Sequence, residues 1–459
     1  MNHVPSWLRS MMSIKLISGP LPVAIYTITV IGVITLIVWQ LLRNDRSHLV
    51  KQSLIALLCG LLGLLLTWFA SDGIMLFGVS LGWSVIITVA IAFALAGPLI
   101  VTAASARRLR RAIAIIMIPI MILATALRID MIYGEYQTIG SLVNYAPYQS
   151  LDEAAIDSHA TISVSQWRTR AAQHQLPSMP ATGTVYEQHI ANTQSGFQAR
   201  KALIYLPPAA LSATPPRLPV LLLLSGQPGS PGRAFSASGI AAMMDHYART
   251  HDGLAPIVIS PDQNGADTIN SLCADTTLHG KAETYLTVDV PAWIHTHLPV
   301  SKQASHWAMS GFSQGGTCST QLVPRHPDLF GTMIAVDGEI APTDGSIDHM
   351  VATYFAGNRA AYEAQVPVNA IAAHSPSDQA AILAAGSNDH TSVKNIQIIG
   401  AAARKAGMEV TMLEVPGTGH DWHAATATLE AALPWWCARV GLGDTETTWH
   451  DYQKVKVIQ

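Results

Sequence analysis

Four long apolar runs near the start of the chain constrain it more than anything else in the sequence. Residues 21–42, 52–71, 76–99 and 112–127 contain no Asp, Glu, Lys or Arg. A helix needs ~20 apolar residues to cross the hydrocarbon core of a bilayer. The fourth run reaches that length only if it continues past Arg128 towards Ile132, with the arginine snorkelling to the interface. The runs are apolar on every side and separated by short polar breaks, which marks membrane spans rather than buried core helices. A secretory signal has a single apolar stretch of about 7–15 residues. The first run is longer and three more follow, so a cleaved leader is not expected.

Charge divides the chain in the same place. Only 12% of the 459 residues are charged, against roughly 25% in a soluble globular chain. The first 145 residues hold ten Lys/Arg and four Asp/Glu, the remainder seventeen and twenty-six, and the formal net charge is -3. That balance excludes a disordered polyelectrolyte and suggests no nucleic-acid partner. Arg43, Arg46 and Lys51 follow the first run, and Arg107, Arg108, Arg110 and Arg111 follow the third. The break at Ser71–Asp72–Gly73 has no basic residue. The positive-inside rule therefore puts both basic loops in the cytoplasm, and both chain ends outside it. No ionisable residue interrupts the four runs, so an anchor is expected rather than a transporter. Gly60 and Gly63 could let helices approach closely, though they read first as ordinary glycines of a membrane helix.

The expected organisation is a four-span anchor over 1–132, a linker over 133–182 with one amphipathic helix near 164–174, a globular domain over 183–442, and a tail over 443–459. In the globular part, short apolar segments at 218–224, 255–260, 306–310, 331–336, 380–385 and 409–415 alternate with helical patterns at 239–250, 282–297, 316–326, 393–406 and 424–439. Segments 184–192 and 198–206 read as a hairpin entering the sheet. Apolar strands alternating with helices predict an α/β fold, a mostly parallel sheet covered on both faces.

The chemistry concentrates in Ser310-Gly311-Phe312-Ser313-Gln314-Gly315-Gly316. This Gly-x-Ser-x-Gly follows a predicted strand and opens a predicted helix, the context of a nucleophile elbow. A serine needs a base, and the base needs an acid to orient it. In this kind of fold the chain order is serine, acid, histidine. Asp389 lies just past the 380–385 strand, and His420 in the glycine-containing loop after 409–415. His423 and His390 compete with His420. Asp378, Asp344, Asp337 and Glu339 compete with Asp389, and Asp421 reads as a loop or cap residue. Two backbone N–H groups should receive the oxyanion. Gln314 follows the serine, and Gln227, with Gly226 next, lies in the loop after 218–224.

The segment from about 184 to 440 resembles the esterase D type of α/β-hydrolase, which includes mycolyltransferases and feruloyl esterases. The resemblance rests on Leu221-Leu222-Leu223-Leu224-Ser225-Gly226 with Gly229-Ser230, on Ala282-Glu283-Thr284-Tyr285-Leu286, on the elbow, and on Gly419-His420-Asp421-Trp422. Ser225 replaces the His or Asp that usually precedes the glycine there. The four spans and Tyr133-Gly134-Glu135-Tyr136-Gln137-Thr138-Ile139-Gly140 resemble a membrane-anchored actinobacterial branch. The resemblance implies ester hydrolysis or acyl transfer through an acyl-serine, and carries over no particular substrate.

Of the four cysteines, Cys59 lies in a span and Cys437 in the last helix. Cys273 and Cys318 are candidates for a disulfide, which an extracytoplasmic location allows; the alternative is two buried thiols. No metal-binding spacing is present, so neither metal nor cofactor is implied. The expectation is a membrane-anchored, extracytoplasmic serine esterase whose partners are the lipid bilayer and an ester substrate. That substrate would be a lipid or cell-envelope ester, such as an acylated or aminoacylated phospholipid. The alternatives are an acyltransferase, a binding module on an inactive esterase scaffold, and a transporter with an accessory domain.

Overall fold

The structure is a computed structural model that describes residues 5–42, 46–145, 147–152, 162–374, 378–443 and 449–458. Arg43, in the first basic loop, lies outside the described residues. Contacts divide the chain into two units, Met1–Tyr145 and Ala146–Gln459.

The first unit holds four helices long and apolar enough to cross a membrane: Pro20–Leu42, Ser47–Gly73, Gly82–Ser105 and Arg108–Tyr133. The third begins at Gly82 rather than near residue 76. The fourth runs on through Arg128 and Asp130 to a left-handed Gly134. Gly60 and Gly63 are not idle. A Cβ on Gly60 would stand 3.1 Å from the Ala94 Cβ, and one on Gly63 2.7 Å from Phe93. Their missing side chains let the second and third helices approach closely.

Among the described residues of the second unit twelve strands form: β1 Gln149–Ser150, β2 Thr184–Gln188, β3 Ala202–Leu206, β4 Val220–Leu224, β5 Ile257–Ser260, β6 Asp275–Thr276, β7 Gly280–Lys281, β8 Trp307–Phe312, β9 Thr332–Val336, β10 Ala380–Gly386, β11 Glu409–Val415 and β12 Lys456–Ile458. Ten of them make one sheet, in the order β1-β2-β3-β5-β4-β8-β9-β10-β11-β12. From β5 through β11 every pair is parallel. β2 and β3 are antiparallel neighbours, as are β3 and β5, and β11 and β12. Every residue of β3, β4, β5, β8, β9 and β10 is buried. That continuous burial is why those strands read as unbroken apolar runs: helices cover both faces. The order and direction are those of an α/β-hydrolase.

Three regions differ from the expectation. The stretch read as a linker is partly built into this unit. β1 pairs with β2, and Trp167 is fully buried with its Nε1 donating to the Asp252 carbonyl at 3.0 Å. The stretch read as a tail supplies β12, and Trp449 packs beside Trp435. Between β9 and β10 stand three short helices, Ile347–Thr353, Arg359–Glu363 and Pro367–His374. Met350, Val351, Tyr354, Phe355 and Tyr362 of this insertion join Leu272 and Ala274 in a second small core, separate from the main one.

Candidate active site

The chain turns from β8 into the helix Gln314–Arg325 at a single residue, Ser313. Its φ of 56° and ψ of -117° are a conformation a non-glycine residue adopts only under constraint. The surrounding glycines supply that constraint by letting backbone meet backbone. A Cβ on Gly311 would fall 2.4 Å from the Gly315 carbonyl carbon, and one on Gly315 2.6 Å from the Leu224 carbonyl oxygen. One on Gly316 would fall 2.6 Å from the Val336 oxygen. The Ser313 N–H donates to that same Val336 oxygen at 2.9 Å. The serine is thereby held at the C-terminal edge of the sheet, with Gly226 of the loop after β4 directly opposite.

His420 stands in the loop after β11. Its Nε2 is 2.8 Å from the Ser313 Oγ, and its Nδ1 is 2.8 Å from the Asp389 Oδ2. A carboxylate can only accept, so Nδ1 carries the proton and Nε2 is left to accept from the serine. The Phe312 ring lies 5.1 Å from the imidazole and 4.9 Å from the Trp422 ring, which walls the histidine on one side.

Asp389 follows β10 and caps the helix His390–Lys405. Its Oδ1 accepts from the Ser392 N–H at 3.1 Å and its Oδ2 from the Ser392 hydroxyl at 2.6 Å. Burial alone would raise its carboxyl. The hydrogen bond and charge of His420, together with the Ser392 donors, outweigh that and bring it down to about 2. Burial likewise opposes a charged His420. The Asp389 hydrogen bond and charge raise its pKa nonetheless.

Asp337 and Glu339 lie near His420, and the other competing residues lie elsewhere. His390 and His423 are exposed. Asp378 precedes β10 and so sits at the opposite end of the strand from Ser313. Asp344 bonds the Tyr354 hydroxyl. Asp421 caps the helix Trp422–Arg439 and also accepts from the Gly419 N–H at 2.7 Å. Asp337 is fully buried beside Asp389 and His420, and one donor atom of each of the three lies within 4.8 Å of the others. His420 already commits both nitrogens, to Ser313 and Asp389, and has no lone pair left for a metal.

The two predicted N–H donors frame the serine. Gln314 is the first residue of its helix, where an N–H has no intrahelical acceptor. Gln227 is next to Gly226, on which a Cβ would stand 3.5 Å from the Ser313 Cβ. A polar network unannounced by the sequence holds the Gln314 side chain and the Ser225 carbonyl. The Gln314 side chain bonds Asn264 twice, at 2.8 and 2.9 Å, and Asn270 at 2.6 Å. Gln263 donates to the Ser225 carbonyl at 2.6 Å. No spacing rule announces a Gln-Asn cluster. Only the run Asp262-Gln263-Asn264 directly after β5, at the reactive edge, hints at it. Cys273 and Cys318 are joined by a disulfide, which ties this same loop to the helix behind Ser313.

The family model described as Putative esterase matches residues 194–436. An uncharacterized protein of Corynebacterium glutamicum is 32% identical over 329 residues, covering 70% of this chain and 75% of its own. Among solved structures, a ferulic acid esterase is 20% identical with a TM-score of 0.47, over 56% of this chain and 99% of its own. An S-formylglutathione hydrolase from Agrobacterium tumefaciens is 18% identical with a TM-score of 0.46, over 57% and 99%. With more than half of its sequence inside that family model, and a relative at 32% identity across most of both lengths, the chain belongs to the Putative esterase family.

Proposed function

We propose that the protein is a membrane-anchored serine esterase working outside the cytoplasm on a lipid or cell-envelope ester. The observation that carries this reading is the unbroken line from Ser313 Oγ through His420 to Asp389, 2.8 Å at each step. Ser313 attacks the ester carbonyl and gives its proton to His420 Nε2. Asp389 stays charged and steadies the imidazolium. The N–H groups of Gln314 and Gln227 receive the oxygen on which negative charge develops. His420 then protonates the leaving alcohol, and the acyl group remains on Ser313. A water, deprotonated by His420, releases the acid and restores the serine.

The location is supported by the two basic loops of the membrane region, and by a disulfide that an oxidising compartment favours. A bilayer tether brings lipid esters within reach of the site.

The full-length protein in detergent should hydrolyse a short p-nitrophenyl ester and bind a fluorophosphonate covalently. Ser313→Ala should abolish labelling and lower kcat by roughly 10⁶-fold, the scale of nucleophile loss in serine hydrolases. Labelling and turnover that survive the substitution would sink the proposal.

A further inference from the structure

The site contains one carboxyl more than the proposed mechanism uses. Asp337 ends the run of β9, between the strands that deliver Ser313 and Asp389. It is fully buried, with a left-handed φ of 49°. Its N–H donates to the Ala384 carbonyl at 2.9 Å, and its Oδ1 accepts from the Gly386 N–H at 2.9 Å. Both contacts tie it to β10, the strand that carries Asp389. Its Oδ2 is buried and makes no hydrogen bond among the described residues. A buried polar oxygen without a partner is costly and rare in a native fold. Asp337 itself lies in a cluster in which one of its oxygens, one of Asp389 and one nitrogen of His420 are all within 4.8 Å of one another.

We propose that Asp337 is a reserve positioning residue for His420, able to supply the counter-charge of the imidazolium when the carboxylate at position 389 is removed by substitution. The inference rests on the esterase reading of Ser313 and His420 above. Two carboxylates this close in a dry site do not both ionise; one proton is shared between them. Asp389 has three donors around it, two from Ser392 and one from His420, and so carries the charge. Asp337 has one, the Gly386 N–H, and keeps the proton. The groups that face it are Asp389 from the loop after β10, and His420 and Asp421 from the loop after β11. Burial first, then the Asp389 and Asp421 charges, push its carboxyl up to about 8, against the pull of His420 and Gly386. When Asp389 loses its charge, the like-charge term disappears. Asp337 then releases its proton to solvent, and its carboxylate remains beside the imidazole.

The test uses the full-length protein in detergent and kcat/KM for a p-nitrophenyl ester as a function of pH. A triad with no reserve loses about 10⁴-fold when its acid becomes an amide. Asp389→Asn is expected to lose about a hundredfold less than that, and to show a rise in activity with pH as Asp337 ionises. Asp389→Asn combined with Asp337→Asn should take the full loss and lack that rise. Equal losses in the single and double variants, with no added limb in the pH profile, overturn the proposal. If the double variant does not fold, the downfield proton resonance of the His420 Nδ1–H decides the matter in Asp389→Asn alone. It is present at pH values where Asp337 is ionised if Asp337 accepts the bond, and its absence across the whole pH range counts against the proposal. Turnover that survives Ser313→Ala would remove the esterase reading, while the resonance still reports on Asp337.

Discussion

His420 sets the acid limit of the proposed reaction. A general base works in its neutral form, so activity falls as the imidazole gains a proton. Burial disfavours the charged imidazole, but the Asp389 hydrogen bond and charge raise the pKa above the ordinary 6.5. The sign follows directly: kcat/KM should rise with pH through a midpoint above 6.5, by about tenfold per unit below it. Asp389, held near 2, stays charged throughout and contributes no second limb in the neutral range. A pH profile flat down to well below the ordinary histidine value would mean that His420 is not the base. These three residues stood out in the sequence because punctuation surrounds them: Gly311 and Gly315 around the serine, Gly417 and Gly419 before the histidine, and Asp389 at a strand-to-helix boundary. Asp337 stood out less. Its role depends on how close β9 and β10 bring it to Asp389, a tertiary distance that one-dimensional spacing does not encode.

At the scale of elements, the loop between β5 and the helical stretch that begins at Ala282 is the least self-sufficient part of the site. It contributes two strands of only two residues each, β6 and β7, and otherwise hangs on side chains. Asn264 and Asn270 hold the Gln314 side chain, Gln321 donates to the Leu272 carbonyl at 3.2 Å, and the Cys273–Cys318 disulfide closes the link to the elbow helix. The bridge spans a sequence separation of 45. In the chain-entropy view, closing a loop of that size stabilises the fold by about 4 kcal/mol, and measured values run about 2–4. Replacing both cysteines by serine should lower the unfolding free energy of the full-length protein by that order, read by denaturant titration. Esterase activity should fall before global unfolding, because the freed loop carries the partners of Gln314. Unchanged stability and activity would show the bridge to be incidental. The sequence exposed β3, β4, β5 and β8–β10 through unbroken apolar runs, and the long helices through their periodicity. The insertion between β9 and β10 escaped because its helices are 5–8 residues long and bury only short patches. β12 escaped because it is an edge strand of three residues, two exposed and one half-buried.

For the whole molecule, the low overall charge averages two units in different solvents. One is a set of four helices whose outward surfaces are apolar, with Leu42 81% and Leu57 69% exposed in the isolated chain. Such surface is stable only against lipid or another protein. The other is an acidic unit with an ordinary polar exterior. Which side of the membrane the acidic unit occupies decides what Ser313 can meet. Alkaline phosphatase is active only where its disulfides form, so it reports an oxidising compartment. Fused after Ser105, before the second basic loop, it should be inactive; fused after Gly134, past the fourth helix, it should be active. A reporter fused after Asp72 should also be active, since that break lies between the second and third helices. The same compartment must oxidise Cys273 and Cys318, so the activity of the Gly134 fusion and the presence of the bridge in the purified protein stand or fall together. The reverse pattern of activity would put Ser313 in the cytoplasm. It would remove the outer-leaflet and envelope esters from consideration and leave the disulfide without an oxidant.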